Sequence, residues 1–133
     1  MKGNRMKIDK EKLETKMAKN IRFELITQNQ NTKEKAKKFA EKISNELKIE
    51  TLPIIQQYHK FENSYRIEFV FPFDKPENSI VESLEKTDLI CSPWIVKFDS
   101  FEKEIELIFN KTESSQYKKQ YLNVILWAIW TTE

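Results

Sequence analysis

An α+β domain built on one antiparallel sheet is what this sequence predicts, and three observations carry the prediction. Residues 65–73, Y-R-I-E-F-V-F-P-F, place Tyr65, Ile67, Phe69, Phe71 and Phe73 on one side of a two-residue period. Successive strand side chains point to opposite faces, so this stretch reads as a strand with a strongly aromatic core face. Ala36, Phe39, Ala40, Ile43 and Leu47 recur at helical spacing, which predicts an amphipathic helix. The strand-like and helix-like stretches then follow one another as β-α-β-β-α-β-β-α, separated by short polar turns. That order predicts an antiparallel sheet of about five strands, with helices packed on one face. The first six elements match the split-βαβ arrangement, with a further strand and helix appended. A second face of such a sheet, left open with few charges on it, would be a natural docking surface.

The elements follow in order. Residues 1–20 carry seven Lys/Arg against three Asp/Glu and read as a basic leader, flexible or in a short helix, ahead of a single domain over 21–133. Ile21, Phe23 and Leu25 alternate with Arg22 and Glu24 in a first strand, 21–26. Gln28-Asn29-Gln30-Asn31 is a polar turn; Asn31 caps the first helix, and Glu34 holds the capping-box position. Residues 52–61 are a second strand of mixed pattern suited to a sheet edge, and Glu62-Asn63-Ser64 turns it into the aromatic strand as a hairpin. Pro76 opens a second helix running to about Thr87, with Ile80 and Leu84 toward the core. Residues 94–99 and 103–110 form a second hairpin, in which Ile105, Leu107 and Phe109 alternate with Glu104, Glu106 and Ile108. The last element, 115–130, ends in Y-L-N-V-I-L-W-A-I-W, apolar on nearly every side. Its length favours a helix, with a buried strand as the alternative, since periodicity alone does not decide between them. Trp127 and Trp130 there either fill the core or pair with another copy, so monomer and homodimer both stay open.

Composition excludes more chemistry than it supplies. The chain has one glycine, Gly3, so the Gly-rich phosphate-binding loops, the nucleophile elbow and the KH clamp are all absent. One histidine, His59, and one cysteine, Cys91, are too few for a zinc site or an internal disulfide. Cys91 reads as a small buried residue and His59 as a strand residue near an edge. No cofactor and no metal are expected, and no enzyme. The charged leader lacks the apolar core of a signal peptide, and the longest apolar run, 124–130, is too short to span a bilayer. These features and the lone cysteine predict a cytoplasmic protein without a membrane partner. The aromatic strand lies where RNA-recognition domains stack bases, but the glycines of their signature are missing and acids surround it.

Charge is divided unevenly. Residues 1–66 carry 16 Lys/Arg against 9 Asp/Glu, and residues 67–133 carry 7 against 12. The balances of +7 and −5 predict a dipolar molecule with a basic and an acidic surface. Asp99, Glu102, Glu104 and Glu106 make an acidic hairpin that can dock a basic partner by charge complementarity, with Trp94 as an aromatic anchor. Lys33, Lys35, Lys37 and Lys38 on the first helix offer the alternative, a nucleic-acid-binding module with strongly salt-dependent affinity.

In layout the chain resembles the small cytoplasmic immunity proteins of bacterial polymorphic and contact-dependent toxin systems. The resemblance lies in a motif-free α+β domain with an aromatic hairpin, the link Phe73-Asp74-Lys75-Pro76 into a helix, and Pro93-Trp94 opening the next hairpin. It implies a non-enzymatic inhibitor that neutralises a cognate toxin domain by direct binding. The chain departs from the commonest acidic type by its net charge of +2.

Overall fold

The computed structural model describes residues 20–99, 101 and 104–132, so the leader expected over residues 1–20 lies, apart from Asn20, outside the described residues. In chain order the elements are β1 (Asn20–Thr27), α1 (Lys33–Leu47), β2 (Ile54–Gln57), β3 (Tyr65–Pro72), α2 (Ser79–Asp88), β4 (Cys91–Ser92), β5 (Ile95–Asp99), β6 (Glu104–Asn110), β7 (Gln116–Tyr117) and β8 (Ile125–Thr132). Short 3₁₀ turns at Pro76–Asn78 and Gln120–Val124 lead into α2 and β8. Six strands form one antiparallel sheet in the order β2-β3-β1-β8-β6-β5, and β4 and β7 form a separate two-stranded ribbon. The fold is α+β with an antiparallel sheet, as the sequence predicts.

Both helices pack on one face. The apolar side of α1 (Ala36, Phe39, Ala40, Ile43, Leu47) is buried against Ile21, Phe23 and Leu25 of β1 and Ile67, Phe69 and Phe71 of β3. Ile105, Leu107 and Phe109 of β6, and Ala128 and Trp130 of β8, continue the same core. Trp130 lies 5.1 Å from Phe23 and edge-on to Phe71 at 5.6 Å, between ring centroids. The alternation along β1, β3 and β6 therefore maps directly onto burial, because a strand with one covered face must sort its side chains by parity.

The cap of α1 is shifted by one residue from expectation. Thr32 Oγ1, not Asn31, accepts from the Lys35 amide at 3.1 Å. At its other end Lys48 adopts the left-handed conformation (φ 56°), and the Ile49 amide reaches back to the Ser44 carbonyl at 2.8 Å. With no glycine in this region, a lysine takes the position glycine usually fills. Helix α2 is also buried differently from expectation. Ser83 and Thr87 face inward, each hydroxyl donating to the carbonyl one turn earlier (Ser79 at 2.7 Å, Ser83 at 2.8 Å), while Val81 and Leu84 are exposed. This back-bonding satisfies small polar side chains at positions a leucine would otherwise fill. The second strand is shorter than the predicted 52–61, and His59 sits beyond it in the exposed β2–β3 turn.

The largest correction concerns the chain's C-terminal stretch. Residues 115–130 do not form a helix. They supply β7, a 3₁₀ turn and β8, which lies in the middle of the sheet between β1 and β6. The strand that follows the second helix does not pair with β1, as a split βαβ would require; β8 takes that place and β5 goes to the outer edge. The physical reason is that I-L-W-A-I-W-T-T is rich in β-branched and aromatic residues, apolar on both faces, and free of charge. A strand paired on both sides can use all of that. The sheet accordingly has six strands rather than about five.

Candidate functional site: the helix-free face of the sheet

Cross-strand partners share a face, so the register defines what the side opposite the helices presents. One row runs Arg66, Ile26, Trp127 and Asn110 across β3, β1, β8 and β6. The next runs Glu68, Glu24, Ile129, Ile108 and Ile95, and ends on β5. A third holds Val70, Arg22, Thr131, Glu106 and Lys97. Asp99 and Glu104 pair at the end of the β5–β6 hairpin. An apolar band of Ile26, Trp127, Ile129, Ile108 and Ile95 thus crosses the face obliquely and separates two charged zones.

The zones differ in balance. On β1 and β3, Arg66 Nε lies 2.7 Å from Glu24, and Glu68 pairs with Arg66 at 3.7 Å and Arg22 at 3.6 Å. The four charges cancel. On β5 and β6, Asp99, Glu104 and Glu106 outnumber Lys97, so this corner carries a net negative charge. These four residues, with Phe98, Ile105, Thr131 and Thr132, line a depression of about 290 Å³. Asp99 also accepts a hydrogen bond from the Phe101 amide at 3.0 Å.

The structure therefore brings three of the four nominated acids together, and Glu102 lies outside the described residues. It does not bring Trp94 to them. Trp94 sits on the helix-covered side, its Nε1 donating to the Cys91 carbonyl at 2.6 Å and its ring 5.6 Å from Phe109 and 6.4 Å from Phe23. It is partly buried, packed against the core, and stands apart from the acids it was expected to anchor. The aromatic residue that does stand on the helix-free face is Trp127. Its position follows from the two-residue period of β8, a signal legible only once 125–132 is read as a strand.

At the other end of the same face lies a larger pocket of about 550 Å³, lined by Glu24, Ile26, Tyr58, Phe61, Arg66, Lys111, Leu126 and Trp127. Tyr58 and Phe61 come from the β2–β3 turn, with their rings 5.9 Å apart. The register shift at Ile26/Thr27 lets Leu126 join Trp127 in that lining. None of these residues carries a sequence motif, because the pocket is assembled from four separate segments.

The lysines of α1 are exposed on the helix side of the molecule. At 100° per residue, Lys33 and Lys37 fall on one flank and Lys35, Lys38 and Lys42 on the other, with Glu34 and Glu41 between them. They do not form a single basic stripe. Cys91 is fully buried, and burial pushes its thiol up to about 12. No three His, Cys, Asp or Glu side chains are grouped to hold a metal ion among the described residues, and no described helix is long and apolar enough to cross a membrane. Comparison of the chain with protein-family profiles, curated proteins and solved structures finds no match.

Proposed function

We propose that this chain is a non-enzymatic protein-binding domain whose helix-free sheet face docks a partner protein, and that it acts as an immunity protein neutralising a cognate toxin domain. The observation that carries the reading is the layout of that face. A band of apolar side chains running from Ile26 and Trp127 to Ile95 crosses the sheet and borders a corner where three carboxylates face one lysine. Apolar anchors surrounded by charge supply affinity at the centre and partner choice at the rim. The acid corner selects a basic partner surface, such as the substrate-binding groove of a nuclease. The layout shared with immunity proteins supports the same reading, as does the poverty of catalytic residue types, and the cytoplasm is the compartment in which such a protein acts.

Affinity measurement by calorimetry against the product of the adjacent open reading frame tests it. Binding is expected, with Trp127→Ala weakening it by about thirtyfold or more, as for an aromatic hot spot. Glu106→Lys should slow association and flatten its salt dependence. No binding to any genomic neighbour would sink the proposal. The alternative reading, a nucleic-acid module using Lys33, Lys35, Lys37 and Lys38, predicts a salt-dependent anisotropy titration with DNA or RNA; a flat trace at low salt removes it.

A further inference from the structure

The outer edge of β5 has a property that the docking face does not need. β5 is the last strand of the sheet, and its residues are exposed on both sides: Ile95 58%, Val96 49% and Phe98 52%. An edge strand with uncovered apolar side chains and an unpaired row of backbone groups is a template for another strand. The opposite edge of the sheet is better protected. β2 has four residues and follows Pro53, which offers no amide hydrogen.

We infer that β5 pairs with β5 of a second copy of this chain, antiparallel about a two-fold axis at Phe98. The charge pattern of Ile95–Asp99 selects both the occupant and the register. A two-fold axis perpendicular to the sheet keeps each face continuous, so partners must share parity. Centred on Phe98, the pairing sets Phe98 against Phe98 on the helix side. It sets Lys97 against Asp99, twice, on the helix-free side, where each opposite-charge pair stabilises the ladder; the paired residues are 97–99 of each copy, and Ile95 and Val96 lie beyond them. Centred on Lys97, the same strands would oppose two ammonium groups and place Ile95 against Asp99. Centred on Val96, the ladder would run into Trp94, already packed against the core, and Pro93, which offers no amide hydrogen. Asp99 already accepts from the Phe101 amide; only its charge and its position at the edge enter here. The result is a continuous sheet of twelve strands with all four described helices on one side.

The contact is short, so the dimer is of the small, reversible kind. Sedimentation velocity on the full chain from about 10 to about 500 µM reads it directly. The expected result is a concentration-dependent shift from the 16.0 kDa monomer toward twice that mass. Lys97→Asp should weaken association about tenfold or more, because two attractive pairs become repulsive. Lys97→Asp combined with Asp99→Lys should restore it. Hydrogen exchange at the β5 amides should slow with concentration in the wild type and in the double variant only. A monomer throughout the range overturns the proposal; an edge lysine would then be a guard against association. A dimer indifferent to Lys97→Asp, or a double variant as weak as the single one, also overturns it. Circular dichroism and melting of each variant keep loss of fold separate from loss of pairing.

Discussion

Glu82 shows what a single side chain can decide in this molecule. It is a buried carboxylate on α2 that accepts from the Asp74 and Lys75 amides (3.0 and 2.8 Å) and pairs with Lys86 at 3.1 Å. Lys86 also reaches Asp74 at 3.1 Å and lies over the Phe71 ring. This cluster ties the end of β3 to the helix that follows. Charge-assisted hydrogen bonds to two otherwise unpaired amides make the carboxylate hard to replace. Glu82→Ala is expected to cost about 2–3 kcal/mol in a urea titration, while Glu85→Ala, exposed one turn away, should stay within about 0.5 kcal/mol. The sequence marks Glu82 as one helical acid among several, because its partners are backbone groups.

At the scale of elements, β8 separates folding from binding within one strand. Trp130 is fully buried against Phe23 and Phe71, whereas Trp127, three residues earlier, is half-buried on the other face. Trp130→Ala should destabilise by about 3–5 kcal/mol through cavity formation. Trp127→Ala should cost about 1 kcal/mol and report on partner binding instead. Thermal melts of the two variants check this; a larger loss for Trp127 would show that the strand faces are assigned the wrong way round. The strand resists prediction because a segment apolar at every position has no period to read. What places it is its neighbours: β1 and β6 each offer an open side, and β8 pairs with both.

Over the whole molecule, charge and ionisation give the remaining expectation. α1, with its lysines, lies over β2 and β3, and the acid corner stands at the far edge on β5 and β6. Beneath the C-terminal segment, burial raises Cys91 from 9.0 to about 12, and Tyr117 and Tyr121 from 10.0 to about 12. Tyr117 donates to the Ile125 carbonyl at 2.7 Å, and Tyr121 packs edge-on against Phe39. In each case the fold holds the neutral form, so the unfolded chain loses its proton first. The stabilisation is complete below pH 9 and falls as pH rises from about 9 through about 12. Urea midpoints at pH 8, 9, 10 and 11 should decline in that order, and Cys91→Ala should remove the earliest part of the fall. A midpoint that rises over this range would contradict the burial of these groups.

The α+β class, the aromatic core strand, the face of the first helix and both hairpins were all legible in the order of residues. Each of these rests on a period of 2 or 3.6 that survives whatever packs against it. The same order also placed Asp99, Glu104 and Glu106 together, because hairpin neighbours are local in the chain. The packing of distant segments was needed to make the C-terminal stretch a central strand, to set Trp94 against the core and Trp127 on the helix-free face, and to leave β5 at the edge. Those outcomes depend on which strand lies beside which. Strand order rests on how distant segments compare as partners, β8 between two strands and β5 beside one, and no local pattern contains that comparison.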